Sequence, residues 1–266
     1  MVIFAEMTDE EKIIKASEQL MQAELNKTCC APVRDIIGAE DLDLAYQVQQ
    51  MNITKKLFDG DKVVGKKIGL TSFAVQKQLG VDQPDYGILL ASKEIKNGEQ
   101  VSFTDLMQPK VEAEIAFVMG KDFDKDFTLE NLMNSIDYAV ASIEIVGSRV
   151  DKWDIKITDT IADNASASHF VLGDEHVQLA DIDLVNCQMS LFVNDDLVSE
   201  GSGKACMDNP LNAALWLAQE MAKQGSPLKK GEILLSGALG PMAPIKKGDR
   251  CFATISGLGD VEVGFE

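Results

Sequence analysis

Val111-Glu112-Ala113-Glu114-Ile115-Ala116-Phe117-Val118-Met119 is the stretch on which the reading of this 266-residue chain turns. As a β-strand it alternates faces: Val111, Ala113, Ile115 and Phe117 share one, and Glu112, Glu114, Ala116 and Val118 the other. The two glutamates then lie on one face about 7 Å apart at the Cα. Like charges there repel, and burial raises the cost. A divalent cation between them removes both objections. The competing reading is a strand with a wet face, and E-x-E alone favours it.

A third carboxylate moves the balance. Ala139-Val-Ala-Ser-Ile-Glu144-Ile-Val146 is an apolar strand pattern with a glutamate near its centre, and an ionised group there needs a partner. That partner is either a metal or Arg149. Three glutamate oxygens make a hard-ligand set suited to Mg²⁺ or Mn²⁺.

Lys67, in Val63-Val-Gly-Lys-Lys-Ile-Gly-Leu70, shares a strand face with Gly65 and Gly69. That leaves room for a ligand to approach, unless Lys66 and Lys67 are both simply solvated. Asp85 lies in Gln83-Pro-Asp-Tyr-Gly87, a turn entering a strand, and is either a turn former or an acid/base group. Ile161-Ala-Asp-Asn-Ala-Ser166 is a run of small polar residues of the kind that forms loops lining sites. Ser166 has no histidine at a spacing that suggests a serine nucleophile. The two histidines, His169 and His176, read as structural or surface residues.

Around these segments the chain divides into helices and short strands. Thr8 and Glu11 have capping-box spacing before a helical apolar pattern, and a second helix is predicted from Asp41 to Phe58. From Lys62 the texture changes to strands at Val63–Leu70, Tyr86–Ala91, Val111–Met119, Tyr138–Val146, Phe170–Leu172, Cys187–Val193, Ile233–Ser236 and Cys251–Ser256. A closing hairpin is expected through Gly257–Asp260 into Val261–Phe265. Helices are expected over Ser72–Leu79, Thr128–Ile136 and from Asn209-Pro210 to Gly225, the last with an N-cap and a proline at its first position. The expected organisation is α+β: a helical N-terminal part, residues 1–60, before a β-rich body, residues 61–266.

Composition bounds the function. The net charge is −18, from 43 acidic and 25 basic residues. That balance argues against nucleic acid and against an anionic membrane surface. An anionic substrate would need a local cation, either a metal or a buried Lys or Arg. Five cysteines without a C-x-x-C pair, and only two histidines, disfavour zinc and point to a reducing, cytoplasmic setting. The apolar run at Met1–Ala5 is too short for a signal peptide, and no stretch approaches the ~20 residues of a membrane span.

Gly65-KKIGLTS-Ser72, Gln83-PDYG-Gly87, Pro109-KVEAEIAF-Phe117, Ile143-EIVGSR-Arg149, Ile161-ADNAS-Ser166 and Leu235-SGALGPM-Met242, taken jointly and in order, resemble the hydratase/decarboxylase branch of the fumarylacetoacetate hydrolase superfamily. The resemblance implies a mixed β-sheet roll with a small helical N-terminal part. It places metal ligands on Glu112, Glu114 and Glu144 and an active-site lysine on Lys67. It places an acid/base or orienting carboxyl on Asp85 and a substrate contact on Ser166. The implied activity is metal-dependent hydration of a 2-hydroxy-2,4-dienoate to a 4-hydroxy-2-oxo acid in aromatic meta-cleavage catabolism. Mg²⁺ or Mn²⁺ would bind the 2-oxo acid end and polarise its carbonyl. Lys67 would supply positive charge and Asp85 a proton, although the two could exchange roles.

The implied partners are a small 2-oxo or 2-hydroxy-dienoate acid, further copies of the chain in a homo-oligomer, and an associated decarboxylase or aldolase. Rival readings are a 4-oxalocrotonate-type decarboxylase and a non-catalytic partner subunit. The hydrolase branch uses an N-terminal catalytic histidine, and here the first histidine is His169. Gly147 departs from the resemblance, since Asp is expected there.

Overall fold

The computed structural model describes residues 7–79 and 81–266, so the apolar run at Met1–Ala5 lies outside the described residues. The helices are α1 (Asp9–Asn26), α2 (Arg34–Ile37), α3 (Leu42–Phe58), α4 (Phe73–Leu79), α5 (Leu129–Met133), α6 (Ile157–Ala162) and α7 (Pro210–Lys223). The strands are β1 (Val63–Gly69), β2 (Asp85–Leu90), β3 (Glu94–Lys96), β4 (Gln100–Val101), β5 (Lys110–Met119), β6 (Ile136–Val146), β7 (Ala167–Leu172), β8 (Gln188–Val193), β9 (Asp196–Ser202), β10 (Ile233–Ala238), β11 (Ala243–Pro244), β12 (Arg250–Ile255) and β13 (Gly259–Phe265).

β5 and β6 form the middle of the larger sheet, whose order is β2-β1-β10-β5-β6-β7-β3 with β11 added on β5. The sheet is mixed: β1–β10 and β3–β7 run parallel, the other pairs antiparallel. It curls until β2 approaches β7. The faces of β5 divide as its alternation requires. Val111, Ala113, Ile115 and Phe117 point outward into the main core. They meet Leu191, Val261 and Phe265 of the second sheet (β4-β13-β12-β8-β9) and Leu217 and Met221 of α7. The inner face holds a smaller apolar plug of Leu89, Ala116, Val140, Phe170, Ile233 and Leu235. Truncating the fully buried Phe117 to Ala would cost about 3–5 kcal/mol.

The N-terminal helices pack on one another and on α6 through Ile13, Leu20, Leu44, Val48, Ile161 and Ala162. Thr8 and Glu11 form the expected capping box, and Asp41 caps α3 by accepting from the Leu44 N–H at 3.0 Å. Gln49 of α3 donates to the carbonyls of Tyr86 and Ile161, both at 3.0 Å. Buried Asp159 takes the Arg34 guanidinium at 2.7 Å and two backbone N–H groups. The helical part thus holds β2 and α6, the two elements that flank the site.

One expected boundary is corrected. The helix beginning at Thr128 ends at Met133 rather than Ile136, because the Ser135 hydroxyl bonds back to the Asn131 carbonyl at 2.7 Å and Ile136 already pairs with Met119 in the sheet. The short strands β3, β4, β9 and β11 and the single turn α2 went unanticipated. They are two to seven residues long, with too little alternation to announce themselves. Among the described residues, no helix is long and apolar enough to cross a membrane.

Candidate metal and catalytic centre

Strand register builds the centre. Glu112 and Glu144 are direct cross-strand neighbours on β5 and β6, and Glu114 lies two residues along the same face. Each offers a carboxylate oxygen, and the three oxygens lie within 4.8 Å of one another. Glu114 and Glu144 are each only 1% exposed, which eliminates the wet-face reading. Like charges directly opposite one another destabilise a sheet, so this register is costly unless something positive joins the three.

Lys67 on β1 supplies part of that charge. Its ammonium lies 3.3 Å from Glu144 Oε1 and donates to the Ala165 carbonyl at 2.9 Å. Burial alone would discharge it. The carboxylates of Glu144, Asp85, Glu112 and Glu114 outweigh that effect and hold its pKa above the ordinary lysine value. Asp85 on β2 is fully buried, and neither of its oxygens has a hydrogen-bond partner. Burial raises its pKa, and the Lys67 charge only partly opposes the rise. Arg149 is not the partner of Glu144: it pairs with Asp163.

The reason for the glycines around Lys67 is corrected. A Cβ on Gly69 would lie 2.2 Å from Asp85 Oδ1, and one on Gly65 would lie 2.0 Å from the Ile233 carbonyl oxygen. The space they leave is taken by the Asp85 carboxylate and the neighbouring strand, not by a ligand. Lys66 is not solvated either, since it is 4% exposed and paired with Glu232.

Four carboxylates thus face one ammonium. Both Glu144 oxygens lack a hydrogen bond, the Lys67 contact being close enough for attraction but poorly directed. Burial, with Glu112 adding to it, pushes the Glu144 pKa up to about 7 against the pull of Lys67. Burial and the other two glutamates raise Glu114 well above the carboxylate range, and burial raises Glu112. Carboxylates held this far from their ordinary ionisation, with unused oxygens converging, fit a divalent cation. Glu112, Glu114 and Glu144 could hold it.

Two further features go beyond the sequence reading: Gly237, and the conformation of the turn that holds Ser166. Gly237 donates its N–H to Glu114 Oε2 at 2.9 Å, fixing that carboxylate. It does so where the β10–β5 register slips between Leu235 and Ala238. Its φ is +111°, and a Cβ there would strike Thr71. Only glycine fits, and the signal available was the Gly-rich turn Gly237–Pro241.

The second feature is the turn after α6. Asn164, Ala165 and Ser166 have φ of 56°, 50° and 59°, three consecutive non-glycine residues in the left-handed region. Each costs about 1–3 kcal/mol, so the surroundings have to hold them. Asn164 does so by pairing its amide with Ile88 like a strand: Ile88 N–H donates to Oδ1 at 2.8 Å, and Nδ2 donates to the Ile88 carbonyl at 3.0 Å. Arg149 clamps the turn from behind, bonding the Asp163 carboxylate and, at 2.8 Å, its carbonyl. The result aims the Ala165 carbonyl at Lys67 and leaves Ser166 buried beside it. Gly147 belongs to the same packing. A Cβ there would come 2.8 Å from the Met107 carbonyl, so the aspartate expected at this position would not fit.

Residues 62–265 match the model of the fumarylacetoacetate (FAA) hydrolase C-terminal family, and the chain belongs to that family. It is 51% identical over 252 residues to the TodF product hydratase of Pseudomonas putida F1, covering 94% of each chain. It is 49% identical over 251 residues to 2-keto-4-pentenoate hydratase 1 of Dechloromonas aromatica, covering 94% of this chain and 95% of that one. Among solved structures it resembles 4-oxalocrotonate decarboxylase from Pseudomonas putida G7 complexed with magnesium and adipate. The TM-score is 0.93 at 29% identity, over 98% of this chain and 100% of that one.

Proposed function

We propose that this chain is a hydro-lyase that adds water to a 2-hydroxy-2,4-dienoate of the 2-oxo-4-pentenoate type, giving a 4-hydroxy-2-oxo acid in aromatic meta-cleavage catabolism. The observation that carries the reading is the three-glutamate cluster, two of its members buried, beside Lys67 and Asp85, in a chain half identical to hydratases along most of its length. A divalent ion, Mg²⁺ or Mn²⁺, held by Glu112, Glu114 and Glu144, supplies Lewis-acid polarisation of the 2-oxo group.

The other work falls to the chain. Lys67, kept cationic by its carboxylate neighbours, attracts the substrate carboxylate and the negative charge that develops on the 2-oxo oxygen. Asp85, in a dry setting that favours its neutral form, carries the proton that moves during ketonisation and water addition. Ser166 contacts the substrate from the strained turn. Residues 1–60 serve as a helical part that braces the catalytic part, residues 61–266.

The magnesium-bound decarboxylase structure supports the metal, and Mg²⁺ is the first ion to try. The higher identity to hydratases ranks decarboxylation second. The reading includes a homo-oligomer, a cytoplasmic setting and association with a decarboxylase or aldolase. Phe58 and Leu25, 92% and 75% exposed at the ends of α3 and α1, offer uncovered apolar surface for assembly.

The test is the ultraviolet absorbance of 2-hydroxypenta-2,4-dienoate with enzyme, with and without Mg²⁺ or Mn²⁺. Metal-dependent loss, with 4-hydroxy-2-oxopentanoate as product, is the expected result. An untouched dienoate together with CO₂ release from 4-oxalocrotonate would replace the hydratase reading with the decarboxylase.

A further inference from the structure

A second charged cluster, buried at Arg149 and Asp163 and reaching the surface at Lys27, lies behind the strained turn. A cavity of about 50 Å³ opens between α1, α3 and the β2–β7 seam, and none of Glu112, Glu114, Glu144, Lys67 or Asp85 lines it. Its charged lining is opposite in sign to the catalytic centre. Lys27, Lys56, Lys93 and Arg149 converge on it from four separate parts of the chain, against three acidic residues, Glu24, Asp105 and Asp163. In a protein of net charge −18, such a concentration of cations is the exception.

Glu24 and Asp163 are already used. Lys56 bonds both oxygens of Glu24 at 2.7 Å, and Arg149 holds Asp163. Lys27 reaches only a backbone carbonyl, that of Asp105, at 2.8 Å. Among the described residues, Lys93 Nζ and Arg149 Nη1 have no hydrogen-bond partner. Among the described residues Lys27 and Lys93 form no salt bridge, and the four cations outnumber the three acidic residues of the lining by one.

The same lysines act on two neighbouring groups in one sense. Although burial works the other way, Lys56, Arg149 and Lys93 depress the Glu24 pKa to about 2. Burial, reinforced by Lys93, Lys27 and Lys56, drops the His169 pKa to about 3, so the ring stays neutral. Leu20, Ile53, Leu90 and Phe170 supply apolar wall, which strengthens attraction for an anion. A water needs about 10–15 Å³ of such space, so the cavity has room for a small polyatomic ion.

We propose that this cavity is an anion site, separate from the metal centre, that takes a small dianion: a short dicarboxylate or an inorganic oxyanion. Lys93 and Lys27 supply the uncompensated charge, and Arg149 adds a free guanidinium nitrogen. Asn164 lines the cavity while Ala165, the next residue, bonds Lys67, so the two sites share one wall.

The test is calorimetric titration of the full-length, metal-loaded protein with sulfate and, separately, with succinate. Wild type is compared with Lys93→Met, Lys27→Met and Glu114→Gln. Binding of one or both anions that weakens about tenfold or more in both lysine variants, as loss of a charged hydrogen bond would give, and that survives in Glu114→Gln, supports the site. Whichever titrant binds names the source, oxyanion or dicarboxylate. If Lys93→Met fails to fold, Lys27→Met, altered at an exposed residue, carries the test. Absence of binding by both anions, binding unchanged in the lysine variants, or binding abolished by Glu114→Gln would overturn it.

Discussion

The candidate metal centre and the cavity behind it are both charged, but the first is buried and rich in carboxylates while the second is partly open and rich in cations. At the centre, four carboxylates share one lysine and two of them leave oxygens without hydrogen bonds. In the cavity, Glu24 and Asp163 each have their own cation, and four cations face three acidic residues. The first arrangement is incomplete without a cation, while the second holds together with internal ion pairs. Between them stands a turn of three left-handed residues. The contrast is one of sign: the first region leaves carboxylate oxygens idle and calls for a cation, while the second keeps two ion pairs and leaves Lys27 and Lys93 to face an anion.

The largest effect expected from breaking this contrast is at Lys67. Removing one member of a buried ion pair costs about 3–5 kcal/mol. Lys67→Met should lower metal-free stability by that order in urea denaturation and lower kcat by about 10²-fold or more. Added Mg²⁺ or Mn²⁺ should recover stability but not rate.

The next effect is pH dependence. A carboxylate whose folded pKa is raised binds protons more tightly when folded, so stability is fully present below the unfolded pKa and is lost as pH rises through the folded one. With Glu144 moved from 4.5 to about 7, the metal-free protein should lose on the order of 3 kcal/mol between pH 4.5 and 7.5. Glu112, Glu114 and Asp85 push in the same direction. The rise in Tm on adding metal should therefore be larger at pH 7.5 than at pH 5.5, because metal and protons compete for the same oxygens. Equal rises at both pH values would sink the shared-oxygen account.

Smaller again is Asn164→Gly. Glycine keeps the left-handed backbone but removes the amide that pairs with Ile88, leaving two backbone groups to find water. We expect a loss of about 1–3 kcal/mol and a kcat reduction that exceeds any change in KM, as the Ala165 carbonyl loosens on Lys67. An unchanged kcat would confine Asn164 to a structural role.

The two regions also differ in how far the sequence disclosed them. The glutamates were legible because period-two alternation placed Glu112 and Glu114 together, and Glu144 broke an apolar run. Lys67 was singled out by its glycine-flanked face, but those glycines make room for Asp85 and the neighbouring strand rather than for a ligand. The turn at Asn164 read as a small polar loop of the kind that lines sites, with Ser166 a substrate contact by resemblance, but its backbone conformation was hidden. Its conformation depends on Ile88, which is 76 residues away. The cationic cavity left no local trace, since Lys27, Lys56 and Lys93 each look like a solvated lysine until the fold gathers them.

The most direct test of the account is a Mn²⁺ titration of wild type and Glu144→Gln, with dienoate hydration measured on the same samples. The account predicts one Mn²⁺ per wild-type chain, a hydration rate that tracks occupancy, and a variant that binds metal at least tenfold more weakly and loses about 10³-fold in rate. Full hydration without metal, or Mn²⁺ affinity untouched by Glu144→Gln, would contradict it.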